Sequence, residues 1–404
     1  VRDALLGHEH LDWDLATAAT PKQVRRLFRR TIPVGVEFGT VGVLDEQGKM
    51  HEVTTFRRDV QTDGRHAVVE FGASLDDDLA RRDFTINAIA YSPARKVIHD
   101  PFGGRADLER GLVRAVGEPE ARMREDRLRA LRAIRFAARF GFEIEPATWR
   151  AIVESAPYLG RLSMERVKQE LEKTMEQVER PSRALRLWRE GGALRTLIPA
   201  IAGISDLALA SLDALPRPVA DSQRGRTLAR LTALFAELGH GEGERTLKGL
   251  RFSNQDVAWI TTVIDRWRAI AGELESALVA DQPPPDSTIR RWVGATGRTR
   301  ARAVLRLAAA RFAAARRSGL PAPAPERIAS LYRRAIRIAF SEPVEIGDLA
   351  IDGDDLQGAG IPRGPLLGRI LVLVLADVLE DPSRNTREWL LPRARELYNH
   401  LSSS

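Results

Sequence analysis

The opening part of the chain alternates short β-branched runs with short helical ones. Gly39-Thr40-Val41-Gly42-Val43 and Glu52-Val53-Thr54-Thr55-Phe56-Arg57 are rich in β-branched residues and predict neighbouring strands. Asp45-Glu46-Gln47-Gly48 between them predicts the turn. Thr20-Pro21 supplies an N-cap and a first-turn proline for a helix reaching about Arg30. Asp12-Trp13-Asp14, flanked by His10-Leu11 and Leu15-Ala16, predicts the end of a short strand. Residues 57–67 are polar and poorly patterned and read as a mobile loop. Leu79 to Tyr91 reads as a helix and Asp100-Pro101-Phe102-Gly103-Gly104 as a turn.

From Leu112 the pattern becomes helical throughout. Helices are predicted over Glu125–Phe140, Thr148–Ser155, Ser163–Gln177 and Ala184–Glu190, the last closed by Gly191-Gly192. Leu228–Leu238 and Asn254–Leu274 continue the series. Pro216-Arg217-Pro218 marks a linker, and Pro283-Pro284-Pro285 and Pro321-Ala322-Pro323-Ala324-Pro325 are stiff breaks. No fixed-period repeat emerges. The expected architecture is one small α/β domain over 1–112 followed by a helical stem, divided at 113–180, 181–280 and 281–404.

Composition narrows the partners. Lys and Arg (62) outnumber Asp and Glu (55), giving a formal +7, which favours an anionic partner, nucleic acid first. There are no cysteines, so disulfides and thiolate metal sites are excluded. No signal peptide is recognisable, and the longest apolar run, Ile370 to Ala376, is too short to span a bilayer. The expectation is a cytosolic protein with no membrane partner.

Two stretches carry chemistry. In a strand, side chains two apart share a face, so Asp12 and Asp14 point the same way. Paired hard oxygens suit Mg²⁺, which takes one or two carboxylates and fills its other sites with substrate phosphates. The alternative for a lone Asp-x-Asp is two exposed acids near a turn. On a helix, Asp126 and Arg129 are three apart and neighbours, and read alone they form an ordinary helical ion pair. Arg132 and Arg135 continue the row, which drifts about 60° around the helix per step.

Val1-Arg2-Asp3, Asp12-Trp13-Asp14, EVTTFR (52–57), RRDFTINA (81–88), DPFGG…DL (100–108), EDRLRALRAIRF (125–136) and ERVKQELEK (165–173) occur in that order. Together they resemble the class II tRNA nucleotidyltransferases, the family of CCA-adding enzymes and bacterial poly(A) polymerases in the polymerase-β superfamily. The motifs cover residues 1 to about 175, and GDDLQGAGIPRGPLLGRIL (353–371) is similar to bacterial members. The resemblance implies an α+β fold, with a small N-terminal nucleotidyltransferase head (1–112), a base-reading neck (113–180), and a helical body and basic tail (181–280, 281–404) that bind tRNA. It implies template-independent addition of C, C and A to a tRNA 3′ end from CTP and ATP, with pyrophosphate released.

By the same resemblance, Asp12 and Asp14 hold the catalytic Mg²⁺, and Glu52 is the candidate third carboxylate. Two metals held by shared carboxylates stabilise the attacking and leaving oxygens of an in-line displacement. Asp126 and Arg129 match the EDxxR motif that reads the incoming base. A carboxylate accepts from the amino group that cytosine and adenine share, while a guanidinium donates to the ring nitrogen beside it. Guanine and uracil present groups of the wrong polarity there. Arg2, Arg82, Arg132 and Arg135 are the expected contacts to triphosphate or nucleotide, with Asp83 and Asn87 as sugar or structural contacts.

Gly39–Val43 looks like the CCA-adding form rather than the more basic poly(A) polymerase form. The 57–67 segment resembles a loop that CCA-adding and A-adding enzymes keep. Glu237 and a lone His240 stand where some relatives carry a His-Asp phosphohydrolase site, so no such metal site is expected. The arginines between Arg290 and Arg317, and the helix after Ile361-Pro362-Arg363-Gly364-Pro365, are expected to contact the tRNA backbone. Family members carry a Gly-Gly pair just before this Val-Arg-Asp. Within the class an A-adding or poly(A)-type enzyme stays open as the alternative, and because the chain as written starts at Val1, without those glycines, so does an impaired RNA-binding protein.

Overall fold

Three valines on adjacent strands and one on a helix build the first core. In the computed structural model, which describes residues 1–8, 13–62, 67–215 and 222–402, with backbone alone for 58–62 and 67–70, a short helix α1 (Arg2–Leu5) precedes a four-stranded sheet. The strands are β1 (Leu15–Thr17), β2 (Thr31–Pro33), β3 (Thr40–Leu44) and β4 (Met50–Thr55), in spatial order β1-β4-β3-β2. β1 runs parallel to β4 and the other pairs are antiparallel. Helix α2 (Pro21–Leu27), capped by Thr20 in a reciprocal box with Gln23, lays Val24 against Val41, Val43 and Val53. It ends at Leu27, short of Arg30, because the chain turns extended at Phe28 before β2.

Because strand side chains alternate, the face opposite this core carries Gly42 and Glu52, which are direct partners across β3 and β4. The turn at Asp45–Gly48 forms as expected, with Asp45 Oδ1 accepting from the Gln47 and Lys49 amides. Trp13-Asp14 lies immediately before β1 rather than ending a strand, and residues 9–12, Asp12 among them, are outside the described residues.

Three expectations are corrected here. Arg57–Thr62 and Ala67–Phe71 are strands β5 and β6, paired antiparallel with an irregularity between Asp59 and Gln61. Hairpin backbones satisfy each other without an apolar face, so polar composition did not betray them. Gly39, at φ +86°, admits the Phe71 ring where a Cβ would stand 2.6 Å from it. Leu79–Tyr91 is not one helix. Helix α3 (Leu75–Ala80) stops, a 3₁₀ turn covers Thr85–Asn87, and β7 (Ala90–Ser92) pairs with β8 (Val97–His99). Asp83, Phe84, Thr85, Ile86, Ala88 and Ile89 are all buried, and such a run has no periodicity to separate helix from extended chain.

Helix α4 (Gly104–Arg110) follows, then β9 (Leu112–Val113), which pairs with β10 (Glu143–Ile144). The third correction is Glu125–Phe140, which is two helices, α5 (Pro119–Glu125) and α6 (Leu128–Phe140). Asp126 is extended (φ −147°, ψ 105°), and its Oδ1 takes the Leu128 amide at 3.0 Å. An aspartate that bonds the backbone two residues on starts a new helix rather than continuing the old one. α6 buries Leu128, Leu131, Ile134 and Phe136 and ends at Gly141 in the left-handed conformation.

Around α6 pack α8 (Met164–Gln177) and α9 (Pro181–Glu190), with α7 (Pro146–Ser155) against α5 and α10 (Ala193–Leu197) closing this part. The chain divides into two compact units, Val1–Ala202 and Gly203–Ser404, so residues 181–202 fold with the first. The second unit contains α11 (Asp206–Ala214), α12 (Gln223–Phe235), α13 (His240–Gly249), α14 (Asn254–Val279), α15 (Asp286–Thr296), α16 (Arg298–Arg317), α17 (Pro325–Ser341), α18 (Gly353–Gly358), α19 (Pro365–Glu380) and α20 (Arg387–Ser402). The proline breaks before Asp286 and at Pro321–Ala324 fall between helices as expected, with Pro325 opening α17, while Pro216–Pro218 is outside the described residues. Among the described residues no helix is long and apolar enough to cross a membrane.

Candidate active site

The carboxylates come first. Leu15 pairs with Val53, so Asp14, one residue earlier, stands next in line with Glu52 on the face that α2 does not cover. Both side chains are exposed, and neither makes an ion pair among the described residues. Unneutralised hard oxygens on one open face fit a divalent ion. Asp12 lies outside the described residues, among which no three acidic or histidine side chains converge on a metal position.

A polar chain joins four of the expected residues. Arg2 Nη1 donates to Asn87 Oδ1, Asn87 Nδ2 donates to Asp83 Oδ1 at 2.8 Å, and Arg132 Nε donates to Asp83 Oδ2 at 2.8 Å. Arg82 Nη1 reaches the Asn87 carbonyl (3.2 Å) and Nη2 the Asp78 carboxylate (3.3 Å), while its buried Nε has no acceptor. Asp83 is buried at 9% exposure. Burial pushes its carboxyl up, but Arg132 and the bonds from Asn87, Arg132 and the Phe84 amide outweigh it and hold the pKa below the usual range.

The motif DPFGG…DL builds the support. Asp100 accepts from the Gly104 and Arg105 amides, starting α4, and Gly104 approaches the Thr85 carbonyl so closely that a Cβ would lie 2.2 Å from its oxygen. Thr85 donates to buried Asp107 at 2.5 Å, which also takes Arg114. The turn bearing Asn87 is thereby fastened to α4.

The base-reading candidates are arranged differently from expectation. Asp126 and Arg129 do not share a helix and do not pair with each other. Asp126 Oδ2 accepts from Arg166 at 2.7 Å. Arg129 pairs with Glu125 (2.8 Å) and donates to the carbonyls of Arg122 (3.3 Å) and Arg81 (3.0 Å). The row drifts as helical geometry requires. Arg132 faces Asp83, and Arg135 is turned inward, 4% exposed, onto Glu170 at 2.7 Å. Arg135 is therefore held in the packing of α6 on α8, apart from the open set.

Sequence reasoning passed over Glu125, Arg166 and the rings of Phe136 and Phe140. The rings stack at 6.0 Å with planes 2° apart, and the Arg2 guanidinium lies over both, 5.0 and 4.9 Å from their centroids. Their i, i+4 spacing on α6, and that of Glu125 and Arg129, were the available signals. In the second unit, His240 is not alone. It meets Asp265 at 2.5 Å, a partner 25 residues away. Arg290 and Arg306 are buried, Arg290 donating to the Leu379 and Glu380 carbonyls and to Glu342. The exposed arginines of this stretch include Arg291, Arg302, Arg316 and Arg317.

A small mixed sheet with carboxylates on its open face, followed by helices, is a polymerase-β-like nucleotidyltransferase head with a helical body. Residues 1–114 match the Poly A polymerase head domain, and residues 141–204 match the probable RNA and SrmB-binding site of polymerase A. The CCA-adding enzyme of Geobacillus stearothermophilus is 36% identical over 405 residues, covering 98% of this chain and 92% of that protein. That of Latilactobacillus sakei is 34% identical with the same coverage. The crystal structure of the Bacillus stearothermophilus CCA-adding enzyme in complex with CTP superposes with a TM-score of 0.75 at 33% identity, over 99% of this chain and 92% of that one. This chain belongs to the CCA-adding enzyme family, the class II tRNA nucleotidyltransferases. Enzymes of that family are metal-dependent.

Proposed function

We propose that this protein is a CCA tRNA nucleotidyltransferase of the cytoplasm that adds C, C and A to the tRNA 3′ end from CTP and ATP. The tRNA 3′-oxygen bonds to the α-phosphorus, the bond to the β-phosphate oxygen breaks, and pyrophosphate leaves with the hydroxyl proton passing to solvent. Asp12 and Asp14, with Glu52 as third carboxylate, hold the metal, for which Mg²⁺ is the fitting ion. When bound it stabilises charge on the attacking and leaving oxygens.

The observation that carries the reading is the chain Arg2–Asn87–Asp83–Arg132 beside Arg82. It holds several guanidinium groups at fixed positions, and guanidinium N–H groups are strong donors to phosphate oxygens. Arg2, Arg82 and Arg132 bind the triphosphate or nucleotide, and Arg135 anchors the helix that carries Arg132. Asp126 and Arg129 read the base. A guanidinium has five N–H donors, and three of Arg129's are spent on protein, which leaves two for a base. Residues 1–112 serve as head, 113–180 as neck, and 181–280 and 281–404 as tRNA-binding body and tail.

Mixing the protein with tRNA lacking CCA, Mg²⁺ and labelled CTP or ATP tests this. Successive incorporation of two CMP and one AMP is expected, and Asp14→Ala or chelation of the metal abolishes it while tRNA binding persists. Incorporation of AMP alone would make it an A-adding enzyme.

A further inference from the structure

Around the site, arginines are matched to carboxylates: Arg82 to Asp78, Arg129 to Glu125, Arg132 to Asp83 and Arg166 to Asp126. Arg124, Arg127 and Arg161 are not; none of the three makes an ion pair among the described residues. Arg127 and Arg161 converge on an aromatic ring that water reaches, and Arg124 stands three residues before Arg127, close enough for its charge to act on it. The Arg127 guanidinium lies 4.7 Å from the centroid of Tyr158 and that of Arg161 5.4 Å from it, and Tyr158 is 46% exposed. Arg127 is oriented by a 3.0 Å bond to the buried Ser155 hydroxyl. Burial, and then the fields of Arg161 and Arg124, hold its guanidinium below the usual arginine pKa despite the opposing effect of Tyr158. Positive charge is concentrated there against its own repulsion.

Uncompensated cations around planar groups are what single-stranded nucleic acid uses. The cations follow the phosphates, and bases stack on aromatic and guanidinium planes. A duplex offers the phosphates but hides the base faces. The position fits as well. Arg127 directly follows Asp126, and a 3′-hydroxyl that attacks a nucleotide read by Asp126 belongs to a strand whose last bases lie next to it.

We infer that Tyr158, with Arg124, Arg127 and Arg161, seats the unpaired 3′ end of the RNA substrate beside the incoming nucleotide. That the strand is a tRNA end rests on the reading given above; that it is single-stranded nucleic acid rests on this patch.

The test is equilibrium binding of a short 5′-labelled single-stranded RNA, and of a duplex of equal length, followed by fluorescence anisotropy over a salt series. The full chain is compared with Tyr158→Ala, Tyr158→Phe and Arg124→Gln/Arg161→Gln, with thermal melting to show that each is folded. Tyr158→Ala should bind the single strand about tenfold more weakly and the duplex unchanged, and Tyr158→Phe should bind like the parent. The double arginine variant should lower the salt slope by roughly 0.7 for each phosphate it no longer neutralises. In the CMP assay Tyr158→Ala should raise KM for tRNA and leave KM for CTP alone. Parent-like single-strand binding by Tyr158→Ala overturns the seat, even if the parent adds CMP normally. Displacement of the RNA by polyglutamate with equal potency from parent and Tyr158→Ala, together with equal RNA affinities, also overturns it, as plain ion exchange. A parent that adds no CMP, while Tyr158→Ala still weakens single-strand binding, overturns the CCA reading and leaves the seat standing.

Discussion

Asp126 spends one oxygen on the Leu128 amide and the other on Arg166, yet each carboxylate oxygen has a second lone pair to offer. Its proposed acceptance from the amino group of C or A therefore needs no side chain to let go. Replacing it with alanine leaves Arg129 able to donate and nothing to accept from the amino group. Asp126→Ala should lose affinity for CTP and ATP on the order of 1–3 kcal/mol and incorporate UMP better relative to CMP. Competition assays with mixed labelled nucleotides measure this directly. A slower variant that keeps its full preference for C and A would reduce Asp126 to the bridge from α5 to α6.

Between elements, Asp83 is the node. It ties the turn after α3 to α6 through Arg132 and holds Asn87, and through it Arg2. Removing a nearly buried carboxylate leaves those partners unpaired, so Asp83→Ala should cost about 2–3 kcal/mol. Its folded pKa lies below the unfolded value of about 3.9, so its stabilisation is fully present above that pH and is lost as pH falls through the lower folded pKa. The gap in Tm between parent and Asp83→Asn should stay constant from about pH 7 to pH 5 and close below about pH 4. One pocket must fit first C and then A, and we propose that the β5–β6 hairpin readjusts it between the second and third additions. Shortening it between Arg58 and Glu70 should halt synthesis after two C residues and spare CTP use. Equal loss of both nucleotides would leave it a structural flap.

For the whole molecule, the formal charge of +7 argues for a salt-dependent hold on tRNA, but not every arginine contributes to it. Truncation after about residue 285 is a poor probe, because α15 to α20 belong to the same compact unit as α11 to α14. Substitution separates the roles. Glutamine at Arg302, Arg316 and Arg317 should weaken tRNA binding and flatten its salt slope, since each neutralised phosphate releases counterions. Arg290→Ala should lower Tm, because it takes the donor from the Leu379 and Glu380 carbonyls and leaves Glu342 with Arg337, and should leave the slope unchanged.

Much of this was legible in the residues themselves. The N-cap at Thr20-Pro21, the strands around Val41 and Val53, the Asp45–Gly48 turn and the helices after Leu112 depend on local propensity and periodicity, which act within a few residues. The ordered motifs likewise named the family before any coordinate did. What they could not convey was direction. Whether Arg135 faces a nucleotide or Glu170, whether Arg129 turns to Asp126 or Glu125, and that His240 finds Asp265 depend on partners brought near by packing. The burial of Phe84, Ile86 and Ala88 likewise depends on tertiary contacts, whereas the break at Asp126 is local, its side chain taking the Leu128 amide. Charge and hydrogen bonding fall steeply with distance, so these choices are made only once the chain has folded.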